Sequence, residues 1–513
     1  MTKLVELAGT GRSSWLAPTA VGLGASLVSA VGYWNPSLWT DEAATISDAT
    51  RTLPQLWTLI HHIDAVHALY YLFMHFWTAV FGIAPWSIRL PSILAVGMAA
   101  AGMVVLGRLV ATPRLGLYAG AVFALLPRVT WAGGEARSSA AAGMVAVWLT
   151  VVLVRAAQRG RAWWALYAAL AAFGVLLFLF LALVVVAQGI TIAWEFRGRC
   201  RQTLRWALAA GAAGVALVPF LLLALPQSGQ IIVGKNSLVG TSANVLIDQP
   251  FLGSIPTRGH DFVLDPPYNW GIAAMVVSGM CWLFAAWALL RYRGSARSEP
   301  GIGLIKLAVP SLLVPTAVIL LYSLVKSPIY HPRYFIISAP AMSLLLAAGL
   351  STLAGRRTAF VALAGVVTLA LPIYSMQRGV YAKASDWKQV AQIIDQRALP
   401  GDVVVYGKLA DKQSQTTRQI EIAYRGRLSQ LRDITLRRTG IERNDPWPSS
   451  RPLSAVVHTV DGAPRVWLIV DPAPGFAALI DGYRHTLAVA GYRVTWSWRG
   501  PFTQVDELVP IGP

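Results

Sequence analysis

Two carboxylates stand side by side just after the first long apolar stretch of the chain. Asp41 and Glu42 follow the apolar run 15–33 across a short segment that contains tryptophan. An ionisable group near the hydrocarbon of a membrane costs up to about 3 kcal/mol, so an acidic pair there indicates a functional site. A carboxylate in such a place can remove a proton from a reacting hydroxyl. The structural alternative is a helix cap, because Thr40 or Asp41 could cap a helix that begins at Ala43.

A histidine-rich segment follows the acidic pair. It runs from His61 through Asp64 to His67 with the spacing His-x-x-Asp-x-x-His, and it leads into Tyr70. These side chains could hold a metal ion, but their spacing matches none of the helical zinc motifs. The alternatives are contact with a substrate or a phosphate, and an ordinary position at the membrane interface. We expect no metal ion and no other cofactor.

A short loop between two later apolar runs contains Gly133-Gly134 followed by Glu135 and Arg137. Paired glycines allow a ligand to approach the main chain closely, because neither carries a side chain. Glu135 and Arg137 could pair with each other, or they could face the same cavity as Asp41. The loop is therefore a second candidate for contact with a substrate.

Basic residues also occur in loops that are expected on the outer side of a membrane. Arg333 lies between His331 and Tyr334 in a tight loop, where a cation departs from the positive-inside rule. A guanidinium can bind a phosphate through two parallel hydrogen bonds. Pairing with a lipid headgroup, or with the glutamate of the Gly-Gly loop, is the alternative. Lys235 and Arg258 are less specific candidates, since their long loop tolerates solvated charges.

The composition indicates whether these candidate residues belong to a soluble protein or to a membrane protein. Of 513 residues, 55% are hydrophobic and 13% are charged. The charged share is about half that of a soluble domain, which excludes a soluble cytoplasmic enzyme, a secreted disulfide scaffold and a disordered chain. The net charge of +19 lies mostly in short connectors, where the positive-inside rule accounts for it. We expect no nucleic acid as a partner, and the two cysteines predict neither a disulfide framework nor a zinc site.

Apolar runs of about 20 residues can cross a bilayer as helices, and they recur along most of the chain. If the short basic connectors face the cytoplasm, the runs alternate without conflict and the long loops 34–66 and 226–269 lie outside. The run 163–195 must then form two short helices, and the run 67–83 must lie in, or re-enter, the outer leaflet. The predicted spans are 15–33, 88–110, 114–131, 138–155, 163–179, 181–195, 205–225, 270–291, 305–325, 335–354 and 357–376.

The pattern of the sequence changes after residue 376. Residues 386–397 have the apolar spacing of a helix, 399–406 predict a turn and a strand, and 465–472 predict a further strand. The sequence thus predicts a polytopic all-α membrane domain over 1–376, with about 11–12 transmembrane helices. A small extracytoplasmic α/β domain is predicted over 377–513.

The order of these motifs resembles the GT-C superfamily of polyprenyl-phosphate-sugar-dependent glycosyltransferases, and within it the protein-mannosyltransferase and aminoarabinose-transferase group. The residue usage, rich in Ala, Val, Arg and Trp, is similar to that of actinobacterial members that act on envelope lipoglycans and arabinogalactan. The resemblance rests on Trp39-Thr40-Asp41-Glu42, on the stretch 67–72, on Arg89-Leu90-Pro91-Ser92, on the stretch 131–137, on Arg333-Tyr334 and on Asp386-Trp387.

The resemblance implies a GT-C fold and one displacement at the anomeric carbon of a sugar carried on a polyprenyl phosphate. Asp41 is implied as the base that deprotonates the acceptor hydroxyl, with inversion of the anomeric centre. Glu42 or Glu135 would orient the acceptor or steady Asp41. The side chains implied in neutralising the leaving phosphate are Arg333 and His331, together with Arg137 or Lys235. The other expected substrate contacts are Asp64, His67, Tyr70, Arg258 and Tyr334.

The expected function is transfer of a mannosyl residue from polyprenyl-phosphate-mannose to a glycolipid or glycan of the cell envelope, at the outer face of the plasma membrane. An arabinofuranosyltransferase is the alternative in the same class, and a lipid or glycan transporter or a catalytically silent scaffold lies outside it. The charged residues cluster at the outer ends of the predicted spans, which favours an enzyme over a transporter. The expected partners are the lipid-linked donor, the acceptor and membrane lipid. Four tryptophans of the terminal domain could bind the acceptor glycan or form the domain core: Trp387, Trp467, Trp496 and Trp498.

Overall fold

The chain forms two compact units. The first comprises Met1–Tyr33, Asp64–Tyr70 and Trp86–Gln377, and the second comprises Trp34–Ile63, Tyr71–Pro85 and Arg378–Pro513. Most of the loop that follows the first predicted span thus belongs to the same unit as the C-terminal residues. The computed structural model describes residues 13–230, 237–252, 270–292, 301–353, 355–409, 415–460 and 462–512.

Helices dominate the structure. Up to residue 224 they are α1 (Ser13–Ala30), α2 (Thr40–Ala49), α3 (Leu53–Ile60), α4 (Ala68–Phe81), α5 (Pro85–Val110), α6 (Pro113–Leu125), α7 (Pro127–Gly133), α8 (Ser139–Arg159), α9 (Arg161–Leu177), α10 (Leu181–Glu195) and α11 (Cys200–Ala224). Up to residue 377 they continue as α12 (Leu238–Ala243), α13 (Trp270–Arg291), α14 (Leu304–Val325), α15 (Ala339–Ser351) and α16 (Arg356–Gln377). The helices of the C-terminal residues are α17 (Trp387–Arg397), α18 (Gln419–Ala423), α19 (Arg425–Leu428), α20 (Gly440–Arg443), α21 (Leu453–Val456) and α22 (Ala477–Val489).

The predicted polytopic helical fold is confirmed. Within the described ranges, seven helices are long and apolar enough to cross a membrane, and the bent pair of α6 and α7 makes an eighth if it counts as one span. Each of the eleven predicted spans coincides with one of these or with a shorter apolar helix. The long helices are Pro85–Val110, Ser139–Arg159, Cys200–Gly229, Ala274–Arg291, Leu304–Val325, Pro332–Ser351 and Arg356–Gln377, and the shorter ones are Trp15–Ala30, Ala65–Phe81, Arg161–Leu177 and Leu181–Glu195.

The bend of 62° between α6 and α7 has a local cause. Leu126 precedes Pro127, and a residue before proline is pushed from helical into extended backbone. Leu126 indeed has φ −68° and ψ 123°, so α6 ends there and α7 begins at Pro127. The break carries the chain into the loop that contains Glu135 and Arg137.

The packing of α5 against α6 depends on glycine. A Cβ atom on Gly107 would lie 2.6 Å from the Cα atom of Gly116, which is closer than real side chains allow. Small residues at such crossings let helix backbones approach closely in a membrane. This close crossing places the first residues of α6 directly against the last turn of α5.

A mixed sheet of five strands forms the core of the C-terminal residues, in the order β2-β1-β5-β7-β6. Strands β1, β2 and β5 are parallel, whereas β7 is antiparallel to both β5 and β6. A separate antiparallel pair consists of β3 and β4. The strands are β1 (Val403–Tyr406), β2 (Arg432–Asp433), β3 (Leu436–Arg438), β4 (Ser449–Ser450), β5 (Val466–Val470), β6 (Tyr492–Arg499) and β7 (Gln504–Pro510). The predicted α/β domain is therefore confirmed as a fold.

The four tryptophans of this domain differ in their surroundings. Trp387 and Trp467 are buried, and the indole N–H of Trp467 donates to Asp402 Oδ2 at 2.9 Å. Trp496 and Trp498 are half-buried on the edge strand β6. Two of the four thus serve the domain core.

Candidate functional site

The structure divides the predicted site residues between the two units. Asp41 and Glu42 belong to the second unit. Lys235 and Arg258 lie outside the described residues. The residues in the first unit are Asp64, His67, Tyr70, Glu135, Arg137, His331, Arg333 and Tyr334.

The acidic pair lies in the first turn of α2. This helix begins at Thr40, three residues before the predicted start, and its N-cap residue is Trp39 without a side-chain hydrogen bond. The predicted capping role of Thr40 or Asp41 is therefore wrong. Negative charge is favourable in the first turn of a helix, because the unpaired main-chain N–H groups there point toward it. Glu42 is 0% exposed, whereas Asp41 is half-buried.

Residues of the C-terminal part hold the beginning of α2. The Thr40 hydroxyl donates to Gln419 Oε1 at 2.9 Å. The main-chain N–H of Leu38 donates to the hydroxyl oxygen of Tyr424 at 2.9 Å, and the Ser385 hydroxyl donates to the Leu38 carbonyl at 2.6 Å. Helix α18 also packs against α2. Nothing in the local sequence around Asp41 signals these partners, since they lie more than 340 residues away.

The end of α2 is held as well. Arg51 and Asp48 form an ion pair at 3.4 Å with 2% and 0% of their side chains exposed. Arg51 Nη2 also donates to the Asp445 carbonyl at 2.7 Å, and the Ser47 hydroxyl donates to the Pro446 carbonyl at 2.8 Å. Breaking a buried ion pair by removing one partner costs about 3–5 kcal/mol. The carboxylate helix is thus anchored at both of its ends.

The structure brings His67 and Arg137 together. Arg137 Nη2 lies 3.1 Å from His67 Nε2, and because a guanidinium only donates, Nε2 is the acceptor and Nδ1 carries the proton. Asp64 adopts left-handed backbone at φ 60°, and the following turn Ala65–His67 is a short 3-10 helix. The Asp64 carbonyl accepts from the His67 N–H at 2.8 Å, and Tyr70 is buried. This turn sets the position of the histidine that orients the Arg137 guanidinium.

The loop that contains Glu135 is fixed by the Arg-Leu-Pro-Ser motif of α5. The hydroxyl of Ser92 donates to the Glu135 carbonyl and also lies 3.4 Å from the Arg137 carbonyl. Arg89, the first residue of the motif, is fully buried and donates to the Tyr33 carbonyl at 2.8 Å. The motif therefore positions both the loop and the end of the first helix.

Arg128 is a buried charge that the sequence reasoning did not single out. It donates to the Arg333 carbonyl at 2.7 Å, and it interacts electrostatically with Glu135, Tyr330 and Asp248. Burial raises the pKa of Asp248 to about 7, and Arg128 acts in the opposite direction. Arg128 falls inside a predicted span, and a charge at such a place is itself a signal of function.

The segment that contains Arg333 is rigidly packed. The Arg333 N–H donates to His331 Nδ1 at 3.3 Å, and the guanidinium lies 5.4 Å from the centre of the Tyr334 ring. The Tyr334 ring stacks on Phe180 at 4.7 Å between ring centres. Arg128 thus holds the carbonyl of Arg333, the ring of the next residue is stacked, and Arg333 itself is half-buried.

The described residues contain no group of three or more His, Cys, Asp and Glu side chains that could hold a metal ion.

Comparison with known proteins identifies the fold. No protein-family model and no curated protein sequence matches the chain. Among solved structures, ArnT from Cupriavidus metallidurans bound to undecaprenyl phosphate superposes with a TM-score of 0.58 at 12% identity, over 97% of this chain and 98% of that one. The apo state of the same protein gives the same TM-score and identity over 99% and 98%. The chain has the GT-C fold.

A more distant match is the archaeal oligosaccharyltransferase AglB from Archaeoglobus fulgidus in complex with an inhibitory peptide and a dolichol-phosphate. Its TM-score is 0.49 at 10% identity, over 96% of this chain and 74% of that one. Together with the apolar helices, the GT-C fold makes the chain a multi-pass membrane protein.

Proposed function

We propose that the chain is an integral-membrane glycosyltransferase that uses a polyprenyl-phosphate sugar as its donor. The observation that carries the proposal is the acidic pair at the start of α2, with Glu42 fully buried and Asp41 accessible. The fold of ArnT, which binds undecaprenyl phosphate in one of its structures, supports the class of donor. The likeness in fold extends over 97% of this chain and 98% of that chain.

The proposed reaction is one displacement with inversion. The acceptor hydroxyl oxygen attacks the anomeric carbon, its proton passes to Asp41, and the bond between that carbon and the phosphate oxygen breaks. The electron pair of the broken bond stays on the polyprenyl phosphate. General-base help of this kind contributes about 10²–10⁴ to the rate. Glu42 is buried and would steady Asp41, since a side chain with no exposed surface does not reach an acceptor in solution.

The leaving phosphate gains negative charge as the bond breaks, and fixed cations stabilise that charge. Arg137 and Arg333 are the proposed cations, together with His331. Arg137 is held by His67, and the main chain of Arg333 is held by Arg128. A guanidinium whose position is already fixed loses less conformational freedom when it binds a phosphate. Lys235 remains a proposed phosphate contact and Arg258 a proposed substrate contact. Asp64, Tyr70 and Tyr334 remain proposed substrate contacts, and Glu135 would orient the acceptor.

Mannose is the first choice for the transferred sugar, and a glycolipid or glycan of the cell envelope is the proposed acceptor. The reaction is placed at the outer face of the plasma membrane, with the C-terminal domain on the same side. No metal ion or other cofactor takes part in the proposed reaction. Arabinofuranose on the same class of lipid carrier is the alternative donor sugar, and a lipid or glycan transporter is the alternative outside the enzymes.

The test is sugar transfer by the purified chain in lipid nanodiscs, with decaprenyl-phosphomannose and an envelope glycolipid extract. Wild type is expected to transfer mannose, and Asp41→Asn is expected to lose at least a hundredfold in kcat while it still binds donor. Asp481→Asn is the matched control, because Asp481 is 74% exposed in a surface pair of the same unit. Equal activity of Asp41→Asn and wild type would rule out the proposed base.

Two further outcomes separate the alternatives. If the mannose donor is inert and decaprenyl-phosphoarabinose is used, the enzyme class stands and the sugar is arabinose. If neither donor is consumed but labelled lipid-linked sugar crosses the membrane of a sealed vesicle that contains the chain, the transporter is correct and the glycosyltransferase is not.

A further inference from the structure

We propose that Tyr424 and Gln419 are positioning residues for Asp41, so that the C-terminal sheet sets the geometry of the carboxylate. This inference rests on the proposed function, because it assumes that Asp41 is the base. Neither side chain touches the reacting atoms in the proposal. Both act on the main chain and the first residue of α2, and they belong to the same unit as Asp41.

Tyr424 acts on the residue that leads into the helix. Leu38 is fully buried, and its N–H donates to the Tyr424 hydroxyl oxygen at 2.9 Å. The Leu38 carbonyl accepts from the Ser385 hydroxyl, so both polar main-chain atoms of Leu38 are bound by side chains of the C-terminal part. A buried N–H without a partner is costly, and the chain before Asp41 therefore follows the position of the tyrosine.

Gln419 acts one residue before Asp41. The Thr40 hydroxyl donates to Gln419 Oε1 and not to a main-chain group of its own helix turn. Gln419 is buried as the first residue of α18, and α18 packs directly against α2. The direction in which the first turn of α2 points is therefore fixed by a short helix of the α/β domain.

The sheet holds that short helix in turn. Arg418, immediately before α18, is buried and donates to Asp433 Oδ2 at 2.5 Å, to the Thr435 hydroxyl at 2.9 Å and to the Ser450 hydroxyl at 2.8 Å. The Thr417 hydroxyl donates to the Ile469 carbonyl of β5 at 2.7 Å. Side-chain networks in which each member is paired are rigid. Hydrogen bonds of Thr417 to β5 and of Arg418 to the end of β2 thus hold α18, whose Gln419 in turn accepts from Thr40.

The location of the network in the sheet agrees with this role. Residues 407–409 follow the carboxyl end of β1, which lies between the parallel strands β2 and β5. In open α/β sheets, the loops at the carboxyl ends of the strands next to a reversal of strand order are those that bind ligands. In this chain Gly407 directly follows β1, and its carbonyl accepts from the Thr417 N–H at 2.9 Å, two residues before α18 begins. The domain would then act on the reaction by orienting the base.

The effect of losing such contacts follows from the sensitivity of reaction geometry. A displacement of about 1 Å at a catalytic group lowers a rate by about a hundredfold. Loss of a single anchor among several is expected to permit a smaller shift. We therefore expect Tyr424→Phe to lower kcat about tenfold, with an unchanged KM for the donor, since donor binding uses other residues.

The experiment compares Tyr424→Phe with Tyr492→Phe in full-length protein in nanodiscs. Tyr492 supplies the matched control, because its buried hydroxyl lies 2.7 Å from the Val460 carbonyl and 2.9 Å from the Ala463 carbonyl, within the core of the same domain. Both variants lose one hydroxyl that takes part in a hydrogen bond within the same unit. For each we would measure kcat, the KM for donor, the melting temperature and the hydrogen exchange of the peptide 36–46.

The expected result is a local change for one variant alone. Tyr424→Phe lowers kcat and speeds exchange in the peptide 36–46, whereas Tyr492→Phe lowers the melting temperature and keeps kcat within twofold of wild type. Thr40→Ser, which retains the hydroxyl that reaches Gln419, should recover most of the kcat that Thr40→Val loses. If both tyrosine variants lose kcat in proportion to their loss of melting temperature, the residues are structural and the inference is overturned.

Failure of the proposed function gives a different pattern. If wild type transfers no sugar from either donor, the function is wrong, and hydrogen exchange then decides the coupling by itself. Faster exchange in the peptide 36–46 of Tyr424→Phe, absent from Tyr492→Phe, supports the anchoring of α2. Equal exchange in the two variants overturns it.

Discussion

The ion pair of Asp48 and Arg51 predicts a large and specific loss of stability when one partner is removed. In Arg51→Met the buried carboxylate of Asp48 loses its ion pair with Arg51, and the hydrogen bond to the Asp445 carbonyl is lost. Removing one member of a buried pair costs about 3–5 kcal/mol. In a domain of about 150–250 residues each kcal/mol lowers the melting temperature by about 2–4 °C, so we expect a decrease of about 10 °C.

The same substitution on the surface supplies the control. Arg427 pairs with Asp395 at 3.8 Å, but 45% and 50% of these side chains are exposed. Exposed pairs contribute about 0–1 kcal/mol. Arg427→Met is therefore expected to lower the melting temperature by at most about 4 °C.

The assay is thermal unfolding in nanodiscs, followed by intrinsic tryptophan fluorescence. The double variant Asp48→Asn/Arg51→Met removes the charge as well as its partner, and it should recover part of the stability that Arg51→Met loses. Equal melting temperatures for Arg51→Met and Arg427→Met would refute the reasoning, because burial would then make no difference to the value of the pair.

Three further predictions concern single side chains. His67→Ala should raise the KM for donor about tenfold by releasing Arg137, and His67→Gln, which keeps an acceptor, should recover part of it; steady-state kinetics measures both. Ser92→Ala should also raise the KM for donor, because the loop that contains Glu135 loses a hydrogen bond. The free energy of unfolding should fall by about 1 kcal/mol, which lowers the melting temperature by only a few degrees. Burial is the main cause that raises the pKa of Asp386. Folding therefore favours the protonated form, and stability falls as pH rises above about 4 through the raised pKa; thermal melts across pH should show a flatter dependence for Asp386→Asn.

The helical part of the fold could be predicted because its signal is local. A span needs about 20 consecutive apolar residues, and that requirement leaves a visible run in the sequence. After residue 376, the longer elements could also be predicted from their sequence pattern, as for Trp387–Arg397 and Val466–Val470. Strands such as Arg432–Asp433 and Ser449–Ser450 have two residues each, and no periodic pattern can emerge over that length.

The surroundings of the acidic pair could not be predicted for a different reason. The sequence singles out Asp41 and Glu42 as a candidate site and offers a cap at Thr40 or Asp41 as the alternative, whereas the N-cap residue is Trp39. The partners Gln419 and Tyr424 are determined by tertiary packing, which no local pattern encodes. By contrast, Arg128 was visible as a charge inside an apolar run and could have been found.

The central claim is that Asp41 serves as the base in a transfer that releases polyprenyl phosphate. The most direct measurement is a single turnover, in which wild type and Asp41→Asn are each mixed in excess with labelled decaprenyl-phosphomannose and acceptor. We expect wild type to release one decaprenyl phosphate for each mannose transferred, with an inverted anomeric centre, and Asp41→Asn to react at least a hundredfold more slowly. A product with retained configuration, or equal rates for the two proteins, would contradict it.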